Sequence, residues 1–199
     1  MLERISRFFK IDKKSNSTGA YVFGPSEHCL LPEMINRDAR NVVDVLQKAG
    51  FEAYVVGGCV RDLLLGLKPK DFDVATSAKP WEVKSLFRRS RIIGRRFQIV
   101  HVQFSREIIE VTTFRSNENQ TNNKNHRQQT DSGMLTRDNV FGSVEEDASR
   151  RDLTVNALYY DPSDNSIHDF TNGLDDIDDR IIRIIGDPST RFREDPVRL

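Results

Sequence analysis

The chain is short of cysteine, and the two it has among 199 residues, Cys29 and Cys59, make neither a disulfide framework nor a zinc-ligand spacing. Its four histidines, His28, His101, His126 and His168, share no metal-ligand spacing either. Long apolar runs are missing, so no segment offers the roughly 20 residues that a membrane-crossing helix needs. The N-terminal MLERISRFFK is basic and carries Leu2, Ile5, Phe8 and Phe9 at helical spacing, yet it lacks the apolar centre and small-residue cleavage site of a secretory signal. It reads as a short basic arm. These absences together point to a reducing, cytoplasmic setting. Net charge is missing as well, since 30 Lys and Arg balance 30 Asp and Glu. A zero sum argues against nucleic-acid binding, but distribution matters more than the sum. Arg88, Arg89, Arg91, Arg95 and Arg96 fall in one segment, while Glu145, Glu146 and Asp147, then Asp175, Asp176, Asp178 and Asp179, gather elsewhere. No internal repeat is present.

What the chain does have is an apolar pattern that switches between helix and strand periods. After an irregular stretch to about residue 30, RDARNVVDVLQKAG (37–50) places Val42, Val43, Leu46 and Ala49 on one helical face and ends at Gly50. FEAYVV (51–56) reads as a strand, CVRDLLLG as a short helix stopped by Gly66, and DFDVAT (71–76) as a strand. KPWEVKSLFRR reads as a helix with Pro80 near its start. FQIVHVQF (97–104) and EIIEVTTF (107–114), separated by Ser105 and Arg106, predict a hairpin. Residues 116–137 are polar and rich in Asn, Gln and Thr, a length of structureless chain associated with mobility or function. GSVEEDASRRDLTVNALYY is helical in character, with a capping box from Ser143 and Glu146. Short strands around LYY and IHDF, a turn at NG and a strand RIIRII (180–185) follow. The fold class is mixed α/β (α+β), a small mixed sheet with helices interspersed.

The chemistry concentrates in KDFDV (70–74). Aspartate is depleted in strands, yet Asp71 and Asp73 alternate with Phe72 and Val74, which suit a sheet. Both carboxylates then point to one face, their Cα atoms about 6.6 Å apart. Like charges so placed repel unless a cation sits between them; taken alone, the pattern is equally that of a solvated strand end. In VVGGCVRD (55–62), Gly57 and Gly58 let backbone approach a ligand, and Arg61 brings a fixed charge to a helix start suited to phosphate. The spacing is neither a Walker loop nor a dinucleotide fingerprint, and a tight turn has the same sequence. In EIIEVTTFR, Glu110 shares a face with Ile108 and Thr112, either as a buried carboxylate in need of a partner or as an exposed edge group. A double arginine entering a strand, Arg95 and Arg96, suits a phosphate backbone or triphosphate.

In order, the glycine turn with VRD, then DFDVAT, EVTTFR, RRDLTVNAL and RFREDPVRL resemble the motif set of the class II nucleotidyltransferases, the bacterial poly(A) polymerases and tRNA CCA-adding enzymes. The resemblance runs from about Asp38 to Leu199 and implies a polymerase-β-like nucleotidyltransferase head. IIGRRFQIVHV (92–102) resembles the segment that marks the poly(A) polymerase branch.

The resemblance implies that Asp71 and Asp73 hold two magnesium ions, which would explain the paired aspartates, and that ATP is the substrate whose AMP is added to RNA 3′ ends without a template. Gly57, Gly58 and Arg61 would bind the ATP triphosphate, with Asp62 among the nucleotide-binding residues. Arg151, Asp152 and Asn156 match the family's RRDxxxNA element beside the nucleotide, and Glu194, Asp195 and Arg198 match its EDxxR element facing the base. The third catalytic carboxylate is either Glu110 or Asp152. The expected organisation is an N-terminal arm (1–35), a catalytic head (36–187) and the start of a helical neck (188–199), with RNA 3′ ends and ATP as partners and no membrane span. A CCA-adding enzyme using CTP as well as ATP, and a non-catalytic RNA- or nucleotide-binding fragment, are the competing readings.

Overall fold

Asn36 opens the first helix. Its side chain accepts from the backbone N–H groups of Asp38 and Ala39, an N-cap that satisfies two orphan donors, and α1 (Arg37–Lys48) then buries Ala39, Val42, Val43 and Leu46 against a sheet. Ala49 is the exposed C-cap rather than part of that stripe. The computed structural model describes residues 19–95, 97–105, 107–116, 127–129, 135–138 and 140–194; for 127–129, 135–138 and 194 the description is of the backbone.

The strands are β1 (Tyr21–Phe23), β2 (Ala53–Val56), β3 (Asp73–Thr76), β4 (Ser90–Ile93), β5 (Ile99–Gln103), β6 (Ile108–Thr113), β7 (Arg127–Gln129), β8 (Leu135–Asp138), β9 (Leu158–Asp161) and β10 (Ser166–Asp169). Eight of them form one sheet in the order β1-β10-β9-β2-β3-β6-β5-β4, while β7 and β8 pair separately. Among the described strands only β3 and β6 run parallel, so the sheet is mixed, as the sequence pattern implies. The remaining helices are α2 (Gly58–Leu64), α3 (Pro80–Leu86), α4 (Val144–Arg150), α5 (Gly173–Asp178) and α6 (Pro188–Glu194).

Both faces of the central strands are covered, which is why β2 is buried at every position. Ala53 and Val55 join the core beneath α1, α2 and α3, with Val60 and Val83. Tyr54 and Val56 point the other way, into a smaller cluster with Ala75, Phe114, Ala148 and Tyr159 beneath α4. The β5–β6 hairpin and the Ser143–Glu146 capping box form as the sequence predicts.

Four local expectations change. Tyr21–Phe23 is not irregular: it pairs with β10 and closes one edge of the sheet. Ser90–Ile93 is a strand the sequence reading passed over, because its apolar run is only Ile92 and Ile93; pairing with β5 makes it an edge strand. The helical character expected from residue 142 stops at Arg150; Arg151 is extended and Thr154–Asn156 makes one 3₁₀ turn before the strands expected around LYY and IHDF, which form as β9 and β10, where tyrosines and aliphatic residues suit a buried sheet. RIIRII forms no strand. It makes a single bridge, Leu153 to Ile184, because the chain opposite it turns at once into the 3₁₀ segment, and Ile182 is left 79% exposed. In the polar stretch 116–137, the pairing of β7 with β8 is the described feature.

Candidate active site

The site lies where β2 ends, β3 begins and α4 delivers its last turn. Gly57 follows β2 with φ +88° and ψ −148°, a region open to glycine and strained for other residues. It turns the chain into α2 so closely that a side chain there would contact the Asp73 carboxylate and the Arg151 guanidinium. Val56 is in register with Asp73, and Asp73 is in parallel register with Glu110 on β6. The two carboxylates thus rise side by side from adjacent strands. Across β5, His101 stands opposite Glu110, its Nε2 3.1 Å from Glu110 Oε1.

The floor is a polar network under α4. Asp147 Oδ2 accepts from the Tyr159 hydroxyl (2.7 Å) and from an Arg151 guanidinium nitrogen (3.1 Å), while its Oδ1 accepts from the Arg115 backbone N–H (3.1 Å). Arg151 Nε in turn donates to the Tyr159 oxygen at 2.8 Å. Arg150 donates to the Ser116 carbonyl at 2.9 Å. Arg191 of α6 donates to the carbonyls of Arg150 and Arg151, so a cation caps the C-terminal end of α4. The Arg115 guanidinium carbon lies 4.6 Å from the centre of the Phe97 ring.

Several of these groups line a cavity of about 430 Å³ whose wall includes Gly57, Gly58, Asp73, Glu110, Arg115 and Arg151. Burial and then the neighbouring Glu110 push the Asp73 carboxyl up; Arg151 counters them and Asp71 adds to them. Burial opposes the Arg151 charge, but Tyr159 and Asp147 more than offset it, and its pKa rises. Burial pushes the Arg115 guanidinium down, with Asp147 working against it. The site therefore holds crowded carboxylates and fixed cations in one cavity, with Asp73 and Arg151 both bordering the Gly57 turn, suited to a polyanion bridged to the carboxylates by cations.

The expected site residues are divided among several places. Asp73, Glu110, Gly57, Gly58, Arg151, Asp152 and Asn156 all line this cavity. Asp71 is not on the strand: β3 begins at Asp73, since β2 has already turned away at Gly57 and offers no partner before it. Asp71 is exposed in the preceding loop, yet shares a second cavity with Asp73 and Glu110. Arg61 is not part of the cavity wall; it donates to Asn156 Oδ1 at 2.7 Å and grips Asp62 Oδ1 at 2.6 and 2.9 Å. Asp152 is half exposed, 4.0 Å from Arg191. Arg95 is exposed in the turn after β4. Arg96, Asp195 and Arg198 lie outside the described residues, as does the side chain of Glu194. Among the described residues, no group of three or more His, Cys, Asp or Glu is gathered around one point as a ready-made metal cage.

Sequence reasoning passed over Arg115, Asp147, Arg150 and Tyr159 as site residues. The i,i+4 spacing of Asp147 and Arg151 was a usable signal; the approach of Arg115 from β6 was not, because only the fold brings it there.

Residues 53–183 match the family model described as the Poly A polymerase head domain. The chain is 52% identical over 191 residues to Poly(A) polymerase I of Haemophilus influenzae, covering 94% of this chain and 42% of that protein. It is 39% identical over 161 residues to a CCA-adding enzyme of Staphylococcus aureus, covering 81% of this chain and 38% of that one. The crystal structure of the Bacillus stearothermophilus CCA-adding enzyme in complex with CTP superposes with a TM-score of 0.67 at 36% identity, over 85% of this chain and 38% of that one. The chain thus spans less than half the length of these relatives.

Proposed function

The chain belongs to the poly(A) polymerase head-domain family, and from that premise we propose that it forms the catalytic head of a polynucleotide adenylyltransferase, which adds AMP from ATP to RNA 3′ ends without a template and so tails RNA for processing and decay. The observation that carries the proposal is the register of Asp73 with Glu110, two carboxylates from adjacent strands that share one cavity with fixed cations.

The ATP triphosphate lies against the Gly57–Gly58 turn, where backbone approaches closely, with Arg151 as its fixed countercharge. Arg61 holds Asn156 beside it. The RNA 3′-hydroxyl oxygen forms a bond to the α-phosphorus. The bond from that phosphorus to the bridging oxygen breaks, and pyrophosphate leaves with the electron pair. The hydroxyl proton passes to a carboxylate of the Asp73–Glu110 pair. Asp71 and Asp73 are hard oxygen donors crowded enough to raise Asp73, which fits magnesium shared with substrate phosphates rather than caged by protein. Two bound magnesium ions would polarise the attacking hydroxyl and neutralise the departing pyrophosphate. Asp152 lies beside the nucleotide, and Glu194, Asp195 and Arg198 are the proposed base-facing group.

The higher identity to the poly(A) polymerase than to the CCA-adding relative supports ATP addition over CCA addition. The test is one labelled RNA incubated in magnesium with ATP or with CTP, and a tRNA lacking its terminal CCA incubated in parallel. A ladder with ATP alone is expected. CTP incorporation into the tRNA end selects the CCA-adding reading, and no transfer by the full-length protein rejects both.

A further inference from the structure

Asp73 and Glu110 line two cavities at once. The first is the cleft already described, and the second, about 800 Å³, has no other lining residue in common with it. The wall of the second comes from the loop before β3, through Lys68, Lys70 and Phe72, and from His101 and Ile108 on the hairpin. It shares Asn36, Lys68, Pro69 and Phe72 with a third cavity, about 570 Å³, which reaches Arg37 and Arg40 on the first turn of α1. Together the second and third cavities make one groove that starts at the carboxylate pair and runs away from the glycine turn.

We propose that this groove receives the 3′-terminal nucleotides of the RNA strand, with Lys68 and Lys70 bound to its phosphates. This rests on the adenylyl-transfer reading. In a phosphoryl transfer the attacking and leaving oxygens lie roughly in line through the phosphorus. With the triphosphate against Gly57 and Arg151, the attacking hydroxyl must come from the other flank of the carboxylate pair, and that flank is the groove. The charge along the groove has the polarity of an RNA 3′ end. Asp71, Asp73 and Glu110 crowd its inner end, where the strand presents only a neutral hydroxyl, while the Glu107 carboxylate farther out accepts from the Asn36 amide. Lys68 and Lys70 come next, and then Arg37 and Arg40, where the strand's first phosphates would lie. Among the described residues, neither lysine is engaged in an ion pair. Between the cations, half-buried Phe72 and 57% exposed Leu67 offer apolar surface to bases. Of the arginine cluster at 88–91, the basic segment most obvious in the sequence, Arg88 and Arg89 precede edge strand β4 and line none of the three cavities, while Arg91 stands in register with His101.

The experiment is steady-state tailing of a short single-stranded RNA by the full-length protein. It compares the unaltered chain, the double variant Lys68→Ala/Lys70→Ala, and the control Arg88→Ala/Arg89→Ala. The expected result is a rise of about tenfold or more in the RNA KM of the lysine variant. Its ATP KM and melting temperature should not change, and the slope of log affinity against log salt should fall by about 1.4, two contacts at roughly 0.7 each. An unchanged RNA KM in the lysine variant, or a rise confined to the arginine control, overturns the groove. A parallel rise in the ATP KM overturns the division between the two cavities. An unaltered protein that transfers no AMP to any RNA refutes the adenylyl-transfer reading itself, which separates that failure from the groove's.

Discussion

Tyr159 and Asp147 are joined by a 2.7 Å hydrogen bond in the floor of the cleft, and both hold Arg151. Removing the hydroxyl alone leaves Asp147 its other two donors. Tyr159→Phe is therefore expected to cost about 1 kcal/mol. Asp147→Ala strips partners from Arg151, Tyr159 and the Arg115 backbone together and should cost about 3–5 kcal/mol, as breaking a buried charge network does. Urea unfolding of the two variants tests the ordering, and equal losses would show that the network does not centre on Asp147.

Asp73→Asn is expected to reduce AMP transfer by more than the roughly 10–100-fold typical of losing an outer partner of a metal ligand. In magnesium-free buffer the same change should raise the melting temperature. The Asp73 pKa is pushed up by burial and Glu110, so the folded chain binds its proton more tightly than the unfolded chain does. Stability is then lost as pH rises through that interval, and the full cost is present at neutral pH. The advantage of the variant should vanish below about pH 3.9, the ordinary aspartate value, where both states are protonated. A variant less stable than the parent at pH 7 would show that Asp73 is not held under repulsion.

His28 is fixed in one neutral form. Its Nε2 lies 2.9 Å from the Asn165 carbonyl, which can only accept, and its Nδ1 accepts from the Leu30 N–H at 3.2 Å. Burial pushes the imidazole pKa down. The unfolded chain therefore binds the proton first, and stability contributed at neutral pH is lost as pH falls below about 6.5, the unfolded value. Protonation of Nδ1 also breaks the Leu30 bond. An NMR titration of His28 should give a midpoint below 6.5; one at or above it would contradict this packing.

Gly57→Ala places a side chain at φ +88°, facing Asp73 and Arg151. The backbone strain alone should cost about 1–3 kcal/mol, and ATP KM should rise with it. Chemical denaturation and ATP kinetics on one preparation check both. A fully stable variant with normal ATP KM would mean the turn relaxes without consequence.

The helix and strand periods made α1, β2 and the β5–β6 hairpin legible, because burial there follows one regular face. They placed the strand around LYY but carried the helix too far through 151–157, where apolar residues spaced as on a helix face belong to an extended link and one 3₁₀ turn. The site was legible where its parts are consecutive, as in the glycine turn and Asp73. It was not where strands carry distant groups together: Arg115 reaches Asp147 only because Phe114 and Tyr159 pack in one cluster under α4. Asp71 shows the reverse. Its placement beside Asp73 was anticipated, but through strand alternation, whereas a loop provides it.

The parallel pairing of β3 with β6 makes backbone register the ruler of the carboxylate pair. No side-chain rotamer can close a slip of one residue along that ladder, because Ile109 or Val111 would then stand opposite Asp73 and the partner carboxylate would turn into the core. Selection on the apolar contacts of Val74, Ile109 and Val111, all buried in the core, is thereby selection on catalytic distance. Core mutations there should surface first as lost turnover in a chain that still melts cooperatively.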